Sequence, residues 1–280
     1  MTPTGLYRLQ LPAVVSFSGG RTSGFMLRNI LDAHQGQPDG LKVCFANTGL
    51  EHQATLDFVR DVGANWGVDI TWLEYAWDEG HSYKHVTWET AARKGEPFTE
   101  MLAHKSMLPN PRSRTCTSNL KMRVTDRYLR ALEGFSEGYD NALGLRHDEP
   151  RRVSRVSADN SRENVVCPMD RAKHTEEDVL AFWKQQPFDL MLPGDGNSYG
   201  NCVGCFLKQT GKLVRIMKAE PEHFDWWVEA ERKAESTASG LGKRFRMDRP
   251  DYAALLDYSR RQQAFSFDDP DPGLPCNCTD

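Results

Sequence analysis

The sequence predicts an α/β protein with a doubly wound, mainly parallel sheet, followed by a helical C-terminal region. Apolar runs at residues 13–15, 41–46 and 68–73 are typical of short buried strands. The segments between them, at residues 25–31 and 52–66, place apolar residues at helical spacing. Strands and helices that alternate with short connections favour parallel strands covered by helices. In such a sheet, ligands bind beyond the carboxyl ends of the strands.

The loop after the first predicted strand has the composition of a phosphate site. Glycine lets the backbone approach a phosphate, and the N–H groups of the following helix point toward it. The alternative is a strand–helix turn whose small residues serve packing. Neither G-x-x-x-x-G-K-[ST] nor G-x-G-x-x-G occurs, so a phosphate loop here is of another kind. The candidate binding residues are Ser16, Ser18, Gly19, Gly20, Arg21, Thr22 and Ser23.

A second set of polar residues, Asn47, Thr48 and Glu51, follows the second predicted strand. The carboxyl ends of parallel strands meet at one edge of a sheet. If the first two strands are neighbours, this second set therefore lies beside the phosphate loop.

An insertion over about residues 76–115 interrupts the alternating pattern. We expect it to be helical, with helices at residues 86–93 and 98–104, and it is positioned to cover a site. A helix at residues 118–132 and a strand at residues 139–145 then continue the alternation.

Basic residues are concentrated around the helix predicted at residues 118–132 and after the strand that follows it. Arg114 and Lys121 lie near the start of that helix, and Arg146 follows the strand. This clustering favours a polyanionic ligand, because guanidinium groups pair with its oxygen atoms in a bidentate manner. The alternatives are a solvated helix face and surface ion pairs.

Length and composition limit the class of protein. We expect one sheet-containing domain over residues 1–200 and a helical, cysteine-containing region with an acidic tail over residues 201–280. The formal net charge of -4 does not indicate a general attraction to nucleic acid. There is no apolar run of the ~20 residues that span a bilayer, and the signal-peptide pattern is missing. We therefore expect a cytoplasmic protein with no membrane partner.

The sequence contains 7 cysteines, which need an explanation in a cytoplasmic protein because disulfides are rare there. Cys202 and Cys205 form a Cys-x-x-Cys pair that can supply two thiolates to one ion or cluster. Cys276 and Cys278 form a second pair in the tail. Three alternatives follow: an iron–sulfur cluster, a zinc site with four thiolates, or unligated thiols.

Several segments resemble, in their order along the chain, the phosphoadenosine phosphosulfate (PAPS) reductase family of the adenine-nucleotide α-hydrolase superfamily. Residues 16–23, Ser-Phe-Ser-Gly-Gly-Arg-Thr-Ser, are similar to the PP-loop of that superfamily. The resemblance covers about residues 13–215. The other similar segments are Asn-Thr-Gly-Leu-Glu at 47–51, Arg-Thr-Cys through Lys at 114–121, Gly-Leu-Arg at 144–146 with Glu149 and Arg152, and Cys-Pro-Met at 167–169.

The resemblance implies an enzyme that binds an adenine nucleotide, ATP or PAPS, through the PP-loop and through Asn47, Thr48 and Glu51. The Ser-Gly-Gly-x-x-Ser form of the loop is more typical of members that cleave ATP between its α and β phosphates. We therefore expect cleavage of ATP for sulfur transfer or adenylation. Mg²⁺ is a candidate cofactor, with Glu51 and Asp148 as its ligands.

The resemblance also implies roles for the basic residues and for the tail cysteines. Arg114, Lys121 and Arg146 are expected catalytic clamps on phosphate or sulfate oxygens. In an alternative function, reduction of PAPS or adenylyl sulfate to sulfite, Cys276 or Cys278 would be the nucleophile. The tail departs from the Glu-Cys-Gly-x-His pattern of those reductases. A second alternative is a non-catalytic subunit of a modification complex that binds a nucleotide or nucleic acid.

A [4Fe–4S] cluster is the cofactor that the resemblance implies. Cys116 lies in the segment that carries cluster ligands in this family, and Cys202 and Cys205 supply two more. Residue 117 is threonine where cluster-containing reductases have a second cysteine, so Cys276 or Cys278 is expected to be the fourth ligand. The implied partners are a sulfur carrier, a thiol reductant or a cysteine desulfurase, and a nucleic acid as a candidate substrate.

Overall fold

The computed structural model describes residues 3–77, 82–105, 107–156, 161–194, 198–237 and 240–261. Within these residues, the strands of the sheet are β1 (Ala13–Ser16), β2 (Leu41–Asn47), β3 (Ile70–Tyr75), β4 (Tyr83–Val86), β5 (Tyr139–Ala142) and β6 (Glu163–Val166). Their order is β4-β3-β2-β1-β5-β6. The strand β4 is antiparallel to β3, and the other neighbouring pairs are parallel. The predicted α/β class with a mainly parallel sheet is confirmed.

Helices connect the strands and form most of the C-terminal region. The α-helices are α1 (Pro3–Leu6), α2 (Arg21–His34), α3 (Gln53–Trp66), α4 (Glu96–Ala103), α5 (Thr115–Thr117), α6 (Arg123–Arg130), α7 (Pro150–Val153), α8 (Pro168–Arg171), α9 (Glu176–Trp183), α10 (Thr210–Ala219), α11 (Asp225–Thr237) and α12 (Tyr252–Arg261). A π-helical segment, Ser118–Met122, joins α5 to α6, and 3₁₀ helices occupy Pro221–Phe224 and Gly240–Lys243. No described helix combines the length and apolar character needed to cross a membrane.

The two faces of the sheet belong to two separate apolar clusters. Successive side chains of a strand point to opposite faces, so Val14 joins one cluster and Val15 the other. On the Val15 face, the apolar residues of α2, α3 and α9 cover the sheet. On the Val14 face, those of α6, α10, α11 and α12 do so, and this cluster includes Trp227 and Tyr252. Helices on both faces are the arrangement expected of a doubly wound sheet.

The order of the strands reverses at β1. The strand β2 pairs with one edge of β1, with Ala13 opposite Leu41, and β5 pairs with the other edge, with Ala13 opposite Asp140. The chain thus leaves β1 toward one side of the sheet and later returns on the other side. In an open α/β sheet, the crevice at such a switch point is where ligands bind. The loops after β1 and β5 border this crevice.

The insertion differs from its prediction in its first half. The described residues form no helix at 86–93; instead, β4 pairs with the edge strand β3, and the chain then turns. The indole Nε1 of Trp88 donates to Asp57 Oδ1 of α3 (2.9 Å), and Arg93 Nη2 donates to the carbonyl of Trp88 (2.6 Å). Pairing with an open sheet edge and these contacts outweigh a weak local preference for helix. The second predicted helix is present as α4.

A strand that was not predicted, β6, forms the other edge of the sheet. It pairs in parallel with β5, with Asn141 opposite Val165. Only Val165 and Val166 give this four-residue strand an apolar character. The hydrogen bonds of β5, rather than a local pattern, therefore determine its conformation.

Replacement of Trp183 by alanine is expected to lower the free energy of unfolding by about 3–5 kcal/mol, because it leaves a cavity behind the phosphate loop. Trp183 is 2% exposed, and its Nε1 donates to the carbonyl of Arg21 at the start of α2 (2.8 Å). Trp77→Ala is the matched control, since Trp77 is 48% exposed and its loss should cost about 0.5 kcal/mol. Denaturant unfolding measures both changes, and equal losses would contradict this account of the core.

Candidate functional site

The predicted phosphate loop, residues 16–23, connects β1 to α2 at the switch point. Gly19 has a φ of 76°, and a Cβ there would lie 2.8 Å from Thr55 Cγ2, so both the conformation and the space require glycine. Gly20 is the N-cap residue and offers no side chain, and Gly24 N donates to its carbonyl (3.0 Å). The N–H groups of residues 21–23 lie in the first turn of α2, where the helix itself supplies no carbonyl acceptor. An anion at this helix end is stabilised by those groups and by the helix dipole.

The hydroxyl groups of the loop form a short hydrogen-bonded chain. Ser23 Oγ donates to the carbonyl of Gly20 (3.0 Å). Because this uses the only hydroxyl hydrogen of Ser23, Ser18 Oγ, which lies 2.9 Å from Ser23 Oγ, is the donor between them. The chain fixes the side chain of Ser18 at the mouth of the helix end.

Arg21 is paired within the protein. Its Nε and Nη2 donate to the two carboxylate oxygens of Asp189 at 2.7 and 2.9 Å, and Nη2 also donates to the carbonyl of Leu190 (2.7 Å). This bidentate pair attaches the start of α2 to the segment that follows α9. The geometry thus gives Arg21 a role in positioning the loop.

The loop after β5 contacts the phosphate loop directly. A Cβ on Gly144 would lie 3.1 Å from Ser23 Cα, so the two backbones approach each other closely. Two residues later, Arg146 Nη1 donates to Thr22 Oγ1 (3.2 Å). The fold therefore places the predicted clamp Arg146 at the N-terminus of α2.

Two acids orient the guanidinium of Arg146. Its Nε donates to Asp148 Oδ1 (3.0 Å) and lies 3.8 Å from Glu149 Oε2. Burial opposes ionisation of Asp148, but the N–H of Glu176 and the Arg146 guanidinium lower its pKa below the ordinary value. Asp148 is therefore a carboxylate at neutral pH. Its contacts with these donors compete with the predicted role as a Mg²⁺ ligand.

The loop after β2 is organised by a buried carboxylate. Asn47 Nδ2 donates to Glu74 Oε1 (2.7 Å) and to the carbonyl of Ala92 (2.9 Å), while Asn47 Oδ1 accepts from Gly49 N (3.1 Å). Asn47 and Glu74 are both fully buried. The side chain of Asn47 therefore shapes the loop, and direct contact between Asn47 and a nucleotide stays a prediction.

Glu51 closes the same loop and brings other predicted residues to it. Its carboxylate accepts from Thr48 N (3.0 Å), Leu50 N (3.2 Å) and Thr48 Oγ1 (2.9 Å). Lys121 Nζ lies 3.9 Å from Glu51 Oε1, and Cys202 Sγ lies 3.3 Å from Thr48 Oγ1. Roles for Thr48 and Glu51 in holding a nucleotide or Mg²⁺ stay predictions.

The predicted metal ligands differ in how far the structure describes them. Cys116, Cys202 and Cys205 border the apolar cluster on the Val14 face. Across the described ranges, none of these three sulfur atoms belongs to a group of three His, Cys, Asp or Glu ligand atoms that lie within 4.8 Å of one another. Cys276 and Cys278 lie outside the described residues.

The Cys-x-x-Cys turn has a buried N–H group beside it. Cys205 N donates to the carbonyl of Cys202 (3.0 Å), which makes a tight turn. A Cβ on Gly204 would lie 2.2 Å from Trp227 Nε1, so the indole packs directly against this turn. Within the described part of the chain, that buried nitrogen has no hydrogen-bond partner. A donor of this kind suits sulfur atoms of a metal centre, which accept hydrogen bonds from surrounding groups.

A cavity of about 390 Å³ lies between the Val14 face of the sheet and the helical segment from α5 to α6. Ser16 and Ser18 line it on the side of the phosphate loop, and Arg114, Lys121 and Arg155 add positive charge. Burial raises the pKa of Cys44, another wall residue, to about 12, so this thiol stays neutral. The volume is within the range of small-ligand pockets. Further wall residues are Val14, Leu129, Tyr139, Asn141, Glu163 and Val165.

Sequence reasoning missed several of these polar residues. Glu163 belongs to β6, which was not predicted, and Arg155 lies beyond the basic residues that follow the strand predicted at residues 139–145. Asn141 lies within the strand predicted at residues 139–145, where a polar residue in an otherwise apolar segment is a usable signal of a buried hydrogen bond. Glu74 lies just beyond the strand predicted at residues 68–73 and belongs to β3 in the structure. Their partners, however, come from distant parts of the chain.

A second group of potential ligands lies at the start of α3. The ligand atoms of His52, Glu220 and His223 lie within 4.8 Å of one another. His52 Nδ1 accepts from Ala54 N (3.1 Å) as the N-cap of α3, so the ring hydrogen is on Nε2, which faces Glu220 Oε2 at 3.3 Å. A metal ion at Nε2 would have to displace that hydrogen. The geometry thus gives His52 a capping role.

A comparison with known proteins found sequence similarity to a phage protein. The chain is 33% identical over 215 residues to an uncharacterized nin region protein, ORF290, of Escherichia phage lambda, which covers 74% of this chain and 70% of that protein. No model of a protein family matches the sequence.

Acidification is expected to destabilise the protein through His52. Burial, together with His223, lowers the pKa of His52 below 6.5 despite the opposing effect of Glu220. The unfolded chain therefore binds a proton more readily, and the stabilisation present above pH 6.5 is lost as the pH falls through the folded-state pKa.

The His52→Asn variant tests this pH dependence, because asparagine retains an N-cap acceptor without titrating. Unfolding free energies measured between pH 7.5 and 5 should decline less steeply in this variant than in the wild type. His34, whose pKa burial also lowers, accounts for part of the decline that remains. Identical slopes would show that His52 does not contribute.

Proposed function

This chain belongs to the family of the nin region protein ORF290 of Escherichia phage lambda, and we propose that it is a PP-loop enzyme that cleaves ATP between its α and β phosphates. One observation carries the proposal. The N-terminus of α2, the guanidinium of Arg146 and a cavity of about 390 Å³ converge at the switch point of the sheet. The ordered resemblance to the PAPS reductase family supports the same conclusion.

The proposed orientation of the nucleotide follows from the chemistry of the site. The nucleoside occupies the cavity, whose walls are largely apolar, and the phosphates lie at the N–H groups of residues 21–23. Ser18 borders both regions, since it lines the cavity and is hydrogen-bonded to Ser23. This arrangement brings the α phosphate near the end of β1.

The proposed reaction is a displacement at the α phosphorus. A nucleophile on the acceptor forms a bond to that atom, the bond to the bridging oxygen breaks, and pyrophosphate leaves. Negative charge grows on the leaving group, where Arg146 and the helix N-terminus stabilise it. Arg114 and Lys121, on the cavity wall, supply further positive charge. The sulfur nucleophile of a sulfur carrier or cysteine desulfurase, the proposed partner, then attacks the adenylated acceptor, and AMP leaves. A nucleic acid is a candidate acceptor.

We propose in addition that Cys116, Cys202 and Cys205 hold an iron–sulfur cluster, with the fourth ligand from the tail cysteines. The Cys-x-x-Cys pair, the position of Cys116 in the resembling segment and the buried N–H of Trp227 support this assignment. When bound, the cluster supplies a site for sulfur or for electrons. Such thiols remain reduced in the cytoplasm, which is the location that we propose.

Binding of ATP and release of pyrophosphate test the proposed activity. Gly144→Val should weaken ATP binding at least about tenfold, because its side chain pushes Ser23 and the helix end out of place. Gly138→Val is the matched control, since a Cβ there meets its nearest neighbour at an ordinary 3.5 Å. Isothermal titration calorimetry and a pyrophosphate assay give the two readouts.

Two outcomes would contradict the proposed activity. Sulfite formed from PAPS and a thiol, without pyrophosphate from ATP, would indicate the reductase instead. Binding of nucleotides without formation of either product would indicate a non-catalytic subunit.

Protein purified without oxygen is expected to be brown and to contain about four iron and four sulfide ions per chain. Cys205→Ser should abolish the visible absorption, while Cys167→Ser, at a partly buried cysteine outside the Cys-x-x-Cys turn, should retain it. Stoichiometric zinc in colourless protein would exclude the cluster, and protein with neither metal would exclude both sites.

A further inference from the structure

A polar chain crosses three strands on the wall of the cavity. Ser16 of β1, Asn141 of β5 and Glu163 of β6 all line the cavity and are partly exposed. Asn141 is opposite Val14 on one side and Val165 on the other. Ser16 and Glu163 are each two residues from those partners, so both are diagonal neighbours of Asn141 on the same face.

The hydrogen bonds of this chain fix the orientation of the Asn141 amide. Ser16 Oγ donates to Asn141 Oδ1 (2.8 Å), and Asn141 Nδ2 donates to Glu163 Oε1. An ionised carboxylate only accepts hydrogen bonds, so the amide atom that faces Glu163 must be the nitrogen. Rotation of the amide by 180° would bring Oδ1 against this carboxylate. Ser16 opposes the rotation less, because a hydroxyl can either donate or accept.

The oriented amide retains one acceptor and one donor position. Of the two lone pairs on Oδ1, Ser16 uses one, and of the two N–H groups on Nδ2, Glu163 uses one. An acceptor beside a donor complements adenine, which presents an N6 amino donor next to a ring-nitrogen acceptor. Guanine and hypoxanthine have a carbonyl oxygen at position 6, which would face Oδ1 and repel it.

We infer that Asn141, held in one orientation by Glu163, selects adenine over 6-oxopurines in the cavity. This inference rests on the proposed binding of a nucleotide at the switch point, and it assigns the specificity to residues outside the phosphate loop. Glu163 acts as a positioning residue through Asn141, and Asn141 is the group that contacts the base.

The experiment compares the dissociation constants of ATP and inosine triphosphate for the full chain by calorimetry at neutral pH. The two nucleotides have identical phosphates, so their ratio isolates recognition of the base. Inosine triphosphate also lacks the 2-amino group of guanine, so its rejection is not steric. Wild-type protein should bind ATP at least about tenfold more tightly than inosine triphosphate, as expected for a bidentate contact.

Glu163→Gln should reduce that preference to within about threefold, chiefly through tighter binding of inosine triphosphate. A glutamine amide can accept from Nδ2 or donate to Oδ1, so it permits both orientations of Asn141. Glu137→Gln is the matched control, because it removes the same charge from an exposed position shortly before β5. Asn141→Ala should also remove the preference, but through weaker binding of ATP.

Two results would overturn the inference while leaving the proposed function intact. One is equal affinity of the wild type for ATP and inosine triphosphate, and the other is an unchanged ratio in Glu163→Gln. If the wild type binds neither nucleotide, both the inference and the proposed function fail.

Discussion

The close approach of Gly144 to Ser23 brings the loops after β1 and β5 into contact, and the remainder of the candidate site depends on it. A side chain at residue 144 would lie 3.1 Å from the Cα of Ser23, so the backbone of one loop occupies the space that a Cβ would take. This contact lets Arg146 reach Thr22 at the start of α2. The N–H groups at the start of α2 and a guanidinium from 124 residues away in the chain thereby lie side by side.

The start of α2 is held in place from several directions. Arg21 is paired with Asp189, Trp183 donates to the carbonyl of Arg21, and Gly19 packs against α3. None of these groups needs to contact a ligand for the helix end to be preorganised. Because folding already orders this loop, binding of an anion there would not require a further loss of conformational entropy in the loop.

In the loop after β2 and on the cavity wall, too, residues that need not contact a ligand hold neighbouring polar side chains in place. Glu74 holds Asn47, Glu51 holds Thr48, and Glu163 holds Asn141, each through hydrogen bonds to a carboxylate. Buried or partly buried carboxylates are costly unless they accept several hydrogen bonds. Their presence around the switch point indicates that the conformations of these polar side chains matter, whereas apolar residues would have sufficed for packing alone.

The sequence alone determined the α/β class, the strands β1, β2 and β3, and the glycine-containing loop after β1, because these features depend on local periodicity and backbone freedom. It also identified Arg146 and Cys202 as residues of interest. It failed at β4 and β6, where pairing with an existing strand outweighs a weak local preference. It could not show that Arg21 is paired with Asp189, or that Glu163 orients Asn141. Only the tertiary structure decided these points, because the partners of each charge come from segments that are distant in the chain and meet only across the folded sheet.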